Sequence, residues 1–218
     1  MQNKLEIGII GLGKFGLPLA QTLTKLGHGV VALDRSESRV RQVQDSLSHV
    51  YTAEATDIGV LQQLRFQDLD AVVVSVGGSM ESSILVTLNL QEVGAKKIYV
   101  KAVSNEHRKV LTRLGVDHVI QPENDVATQL AHRLSNPGML DLLPLGGGVL
   151  LQELVVDQWA GKTLLDLKLS NESGVMVVAI RYAGQREYTF VPPADRQLAT
   201  GDIMVVIGKV DDVNKLKP

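Results

Sequence analysis

A short apolar run, Leu5-Glu-Ile-Gly-Ile-Ile10, empties into Gly11-Leu12-Gly13-Lys14-Phe15-Gly16, and an apolar-periodic segment follows from about Lys14 to Leu26. Strand, glycine-rich turn and helix in that order open a parallel βαβ unit. Gly11 permits the tight turn, Gly13 lets the backbone approach a phosphate, and Gly16 lets the helix pack closely on the strand. The helix start then offers unpaired N–H groups and the positive end of its dipole, which favour an anion by up to about 1–2 kcal/mol. A carboxylate follows at the expected distance. Asp34 closes the second apolar run, Val30-Val-Ala-Leu33, where it would accept hydrogen bonds from both hydroxyls of a ribose and repel a 2′-phosphate. It could instead cap the next helix, although Ser36 is available for that task.

The alternation continues to residue 135. His49–Thr52, Ala71–Val74, Lys97–Val100 and His118–Ile120 read as strands three to six. Helices are expected over Ser36–Ser46, Asp57–Leu64, Ser79–Val93, Glu106–Leu114 and Glu123–Leu134. Six strands with five crossovers predict an α/β, Rossmann-type doubly wound parallel sheet over residues 1–135. From Ser135-Asn-Pro-Gly138 through Pro144 and Gly146-Gly147-Gly148 the periodicity stops, so 136–148 reads as a linker. Residues 149–218 then form a smaller α+β domain. Its strands are expected at Leu150–Val156, Val175–Tyr182, Glu187–Val191 and Ile203–Ile207, with one short helix at Thr163–Leu167 and a turn at Ala183-Gly184.

Composition narrows the function classes. A formal charge of −2 gives no reason to expect nucleic acid as a partner. There are no cysteines, which removes disulfides and thiolate metal sites. The first residues show no secretory pattern, and no run is long and apolar enough for direct membrane insertion.

Further candidate ligand groups sit where strands end. Thr52–Asp57, with Ala55 and Thr56, could flank an adenine ring or serve only as a turn and helix cap. Val76 and Gly77, in Val76-Gly77-Gly78-Ser79, allow backbone approach to ribose or phosphate. Arg35, beside Asp34, keeps a 2′-phosphorylated cofactor in play. Lys101 ends strand five on the ligand side, and Glu123 begins a helix, where an acid also complements the dipole. The fingerprint does not separate NAD from ATP or ADP. No His/Asp or Tyr/Lys pair at a telling spacing offers a general acid for hydride transfer, and the five histidines are scattered. The expected chain is therefore not an enzyme, and its nucleotide is a signal.

Taken in order, Ile9–Gly16, Leu33-Asp34, Ser75–Gly78, Tyr99–Ala102, Leu111–Asp125, Leu164–Leu169 and Leu198–Asp202 make the chain resemble the RCK (KTN) family, in particular its Trk/Ktr-type cytosolic subunits of bacterial K⁺ transporters. The resemblance implies TrkA-N and TrkA-C domains and a homo-oligomer, a dimer of the N-terminal domain built into an octameric ring. It implies docking of that ring on a membrane-embedded K⁺-translocating subunit, at the cytoplasmic face of the membrane. It implies ATP or ADP at Gly11, Gly13, Lys14, Phe15, Gly16, Asp34 and Lys101, with NAD(H) as the alternative. Lys14 stands where the family usually has an arginine that reaches the terminal phosphate across a subunit interface; lysine keeps the charge without the fork. Glu123 matches a glutamate that helps hold a divalent cation or Na⁺ at a dimer interface, and the TrkA-C module binds cyclic di-AMP in certain relatives. The function implied is gating of a K⁺ transporter by ATP/ADP-dependent change in ring shape. An NAD(P)-dependent oxidoreductase and an NAD(H) redox sensor are the rival readings of the same fingerprint.

Overall fold

The computed structural model describes residues 4–135, 138–143, 145 and 148–218. Strands β1 (Glu6–Ile10), β2 (Gly29–Asp34), β3 (His49–Thr52), β4 (Ala71–Val74), β5 (Ile98–Lys101) and β6 (His118–Ile120) form one sheet in the order β3-β2-β1-β4-β5-β6. Every pair in it is parallel. The crossovers carry α1 (Gly16–Lys25), α2 (Glu37–Arg41), α3 (Ile58–Gln63), α4 (Met80–Glu92) and α5 (Asn105–Arg113). From the central pair the chain winds outward both ways, so the carboxyl ends of β1 and β4 form the switch point at which such sheets open a crevice.

The period-two alternation of each strand supplies both faces. Ile7, Ile9, Val30, Ala32 and Val73 pack with Ala20, Val40, Val43 and Leu47 on one side. Ile10, Leu33, Val72, Val74 and Val100 pack with Leu61, Phe66, Val86, Leu90 and Leu111 on the other. Each large side chain buried in this way contributes about 1.5–3 kcal/mol, which holds the strand ends at fixed heights.

Two local readings change. The helix expected to reach Ser46 ends at Arg41 and continues as tight turns. The amide of Ser46 bonds the carbonyl of Val43, and its hydroxyl donates to the same oxygen. Val43 and Leu47 remain buried. A short 3₁₀ turn at Phe66–Asp68, not expected, inserts Phe66 into the core.

His107 is a core residue of α5. The side chain of Ser104 caps that helix by accepting from the amide of His107 (3.1 Å), and His107 Nδ1 accepts from the amide of Val103 (3.2 Å). Its Nε2 is buried with no hydrogen-bond partner among the described residues. Burial holds its pKa below the ordinary histidine value. The unfolded chain therefore takes up this proton before the folded one does, so stability falls as pH drops through about 6.5 and levels off below the depressed folded value. In His107→Asn, whose Oδ1 can still accept from Val103, the urea midpoint should vary less between pH 7.5 and pH 5 than in the parent. An unchanged pH profile would remove His107 as the source.

The chain divides into two compact units after Pro122. Helix α6 (Pro122–Ser135) runs from this division, and the second unit holds a five-stranded antiparallel sheet in the order β10-β9-β11-β8-β7. Its strands are β7 (Met139–Leu143), β8 (Val149–Val155), β9 (Met176–Arg181), β10 (Thr189–Phe190) and β11 (Ile203–Lys209). β7 lies inside the segment expected to be a linker; Asn136-Pro137, Pro144 and Gly146-Gly147, which marked that linker, fall outside the described residues. Short helices are α7 (Leu164–Leu167), fixed by a Thr163/Asp166 capping box, α8 (Leu169–Glu172) and α9 (Val210–Val213), the last two unexpected. Buried Asp202 ties two loops together, accepting from the amides of Ala183 (2.8 Å) and Ala199 (2.9 Å). Among the described residues no helix is long and apolar enough to cross a membrane.

Candidate nucleotide site

The glycine-rich turn is built by backbone contacts that leave room for nothing larger. Gly11 takes φ +97°, a region that disfavours side chains, and a Cβ there would stand 2.7 Å from the carbonyl oxygen of Ser75. Its amide donates to Leu33 O and the amide of Ser75 donates to Ile10 O, both at 2.7 Å, so the ends of β1, β2 and β4 are laced together. A Cβ at Gly16 would collide with the carbonyl oxygen of Gly11. Gly13 is different: a Cβ there meets nothing within 4 Å. No side chain caps α1 and its first turn holds no acid, so no carboxylate of the helix itself competes for its dipole end.

Asp34 is 5% exposed and organises this turn directly. Its Oδ2 accepts from the amide of Leu12 at 2.6 Å, and its Oδ1 accepts from the amide of Ser36 at 2.8 Å. Arg39 Nη1 stands 3.3 Å from Oδ2. The carboxylate is not the helix cap. Ser36 holds that position, but its hydroxyl faces Ser38 and makes no capping bond.

Around these groups lies a cleft of about 430 Å³, within the size range of small-molecule sites. Gly11, Gly13, Lys14 and Phe15 line it from the turn; Asp34, Arg35 and Arg39 from the second crossover; Ala53, Glu54 and Ala55 from the third; Ser75 to Ser79, with Ser82 and Val86, from the fourth; and Lys101 from β5. Lys101 Nζ lies 5.9 Å from the centre of the Phe15 ring, at the outer limit of a cation–π contact. The cleft thus holds the cations Lys14, Lys101, Arg35 and Arg39, the carboxylate of Asp34 paired with Arg39, and apolar lining from Ile10, Leu33 and Val86.

Most residues singled out in the sequence meet here, and three do not line the cleft. Gly16 is a packing residue beneath the turn. Thr56 turns its carbonyl to Asn89 Nδ2 (2.9 Å), which anchors the third loop to α4. Glu123 is exposed in the first turn of α6. Among the described residues no group of three His, Cys, Asp or Glu converges on a point that would hold a metal. Sequence reasoning missed Arg39 and Ser82. Arg39 was detectable in principle, because the turn after Asp34 brings the start of α2 back over the carboxylate.

Residues 7–122 match the TrkA-N domain and residues 151–218 the TrkA-C domain. The chain is 37% identical over 215 residues to the Ktr system potassium uptake protein C of Bacillus subtilis (strain 168), covering 98% of this chain and 96% of that protein. It is 35% identical over 214 residues to the Ktr system potassium uptake protein A of Vibrio alginolyticus, covering 97% and 96%. Among solved structures, the GsuK RCK domain is 25% identical with a TM-score of 0.53, covering 96% of this chain and 45% of that one.

Proposed function

Since the chain belongs to the TrkA-N/TrkA-C family of Ktr- and Trk-type potassium uptake proteins, we propose that it is a nucleotide-responsive regulatory subunit that gates a membrane-embedded K⁺-translocating partner. The observation that carries this reading is the uncapped start of α1 opening beside buried Asp34 in one cleft. That pair of features suits an adenosine phosphate: N–H groups and Lys14 toward the phosphates, the carboxylate toward the ribose. The cleft lining among the described residues has no histidine or tyrosine to serve as a general acid, which favours a bound message over a hydride carrier.

A message needs two shapes of the assembly with different affinities, because a ligand indifferent to both shifts neither. ATP and ADP differ at the γ-phosphate, whose charge would fall near exposed Lys14 at the helix start. Coupling of about 1–3 kcal/mol gives a bias of roughly 5- to 150-fold. A homo-oligomer supplies the lever. Leu85 and Leu88 on α4 are exposed apolar side chains that a second copy would cover, as in a dimer of the N-terminal domain within an octameric ring. A cation at Glu123, divalent or Na⁺, would need oxygens from such a second copy, because one carboxylate is too few ligands.

A thermal-shift panel of ATP, ADP, NAD⁺ and NADH tests the reading, since a ligand that binds only the folded state raises its stability. ATP and ADP should both raise the melting temperature. Lys14→Ala should lower the ATP/ADP affinity ratio by at least about fivefold, measured by titration calorimetry. An unchanged ratio would refute the role given to Lys14. A substrate-dependent absorbance change with bound NADH would instead favour an oxidoreductase.

A further inference from the structure

The acid at the end of β2 is an imperfect guard against a 2′-phosphate. A carboxylate at this place excludes one when its negative charge faces the ribose unopposed. Here the charge is already answered. Asp34 accepts from the amides of Leu12 and Ser36, and Arg39 Nη1 lies 3.3 Å from its Oδ2. A carboxylate offers about four acceptor positions, so three are spoken for and about one is left for a ribose hydroxyl. Arg35 adds a second cation on the same rim. Its Nη2 lies 3.4 Å from where a Cβ of Gly78 would stand, so this side chain reaches from the end of β2 to the loop after β4, and it lines the same cleft as Asp34. Asp34, Arg35 and Arg39 together carry a net charge of +1, and all three line the cleft.

We propose that Arg35 and Arg39 form a binding subsite for a phosphate on the 2′ oxygen, so that the cleft accepts 2′-phosphorylated adenine nucleotides at least as well as their unphosphorylated counterparts. The inference rests on the nucleotide reading given above. Arg35 supplies a planar fork suited to phosphate oxygens, and Arg39 can turn one N–H to the phosphate while keeping another on Asp34. Both arginines are exposed, so replacing them leaves the core intact.

The experiment uses the full chain and titration calorimetry with 5′-AMP, adenosine 2′,5′-bisphosphate and adenosine 3′,5′-bisphosphate. The expected result is that the 2′,5′-bisphosphate binds as tightly as 5′-AMP or up to about tenfold tighter, and more tightly than the 3′,5′ isomer. In Arg35→Ala and in Arg39→Ala the ratio of 2′,5′-bisphosphate to 5′-AMP affinity should fall about tenfold, whatever each change does to 5′-AMP itself. Arg35→Lys should recover part of that ratio, because it keeps the charge without the fork. The proposal fails if the 2′-phosphate weakens binding tenfold in the parent chain, or if both arginine variants leave the ratio unchanged. Absence of binding by all three compounds would overturn the nucleotide reading as well, whereas 5′-AMP binding with rejection of the 2′,5′-bisphosphate overturns this inference alone.

Discussion

Gly16→Ala should lower the melting temperature of the first unit by several degrees and abolish nucleotide binding, while Gly13→Ala should spare the first property and damage the second. The two glycines sit three residues apart in one motif and answer to different constraints. A Cβ at Gly16 would run into the carbonyl oxygen of Gly11, which is backbone and can yield only if the turn shifts. Overpacking of this kind costs about 1–3 kcal/mol, or roughly 3–10 °C for a unit of this size. The shift would also move the carbonyls and amides at the start of α1, and a misplacement of even about 1 Å is costly where groups must converge on a ligand. At Gly13 a Cβ meets nothing within 4 Å. The free protein should therefore tolerate alanine with a change of no more than about 0.5–1 kcal/mol. That open space is the position at which a phosphate would approach the backbone, so the loss should appear only with ligand. Thermal denaturation of both variants, with and without ATP, separates the cases. If Gly13→Ala bound ATP as the parent does, the phosphates would not lie against this turn.

The same distinction explains how far the sequence could be read. The parallel sheet was legible because its central strands are short apolar runs, such as Ala71–Val74, bounded by polar or glycine-rich residues, and each strand is followed by a helical period. Those strands agree with the structure to within a residue or two. β7 was not legible: its five residues, Met139–Leu143, stand among prolines and glycines that locally read as linker, and only pairing with β8 makes them a strand. Pairing is a long-range fact that period and propensity do not carry. The end of α2 was obscured in another way, since Val43 and Leu47 keep helical spacing and are buried while the backbone after Arg41 passes into tight turns, the amide of Val43 bonding the carbonyl of Val40.

At the site, residue identity revealed which groups could meet a nucleotide but not what already held them. The distance of Asp34 from the glycines marks it as a ribose acid, and that distance says nothing of Leu12, whose amide it holds at 2.6 Å. Arg39 lay outside the motif altogether. Its placement depends on the turn at Ser36, which returns α2 over the end of β2. Charge balance around Asp34 is therefore a property of the folded chain, set by the amides of Leu12 and Ser36 and by Arg39.

Asp34→Ala is accordingly expected to act twice. In the free protein it leaves the amides of Leu12 and Ser36 without their acceptor, and Leu12 is 2% exposed, so water is poorly placed to substitute. A buried donor left unpaired costs about 1–3 kcal/mol, which should appear as a fall of about 3–10 °C in melting temperature with no ligand present. With ligand, loss of charged hydrogen bonds to a ribose of about 1.5–3 kcal/mol should weaken nucleotide binding by roughly 10- to 150-fold. Asp34→Asn divides the two effects. An amide has one acceptor oxygen where the structure uses two, so whichever way it turns, one backbone N–H faces an NH₂ group and stability still falls. Its remaining donors and acceptor can still engage a ribose hydroxyl, so affinity should drop less than in the alanine variant. A carboxylate that served the ribose alone would behave otherwise, with alanine and asparagine both leaving the melting temperature of the free protein unchanged. Measuring that temperature without nucleotide for both variants decides whether Asp34 builds the turn or only greets the ligand.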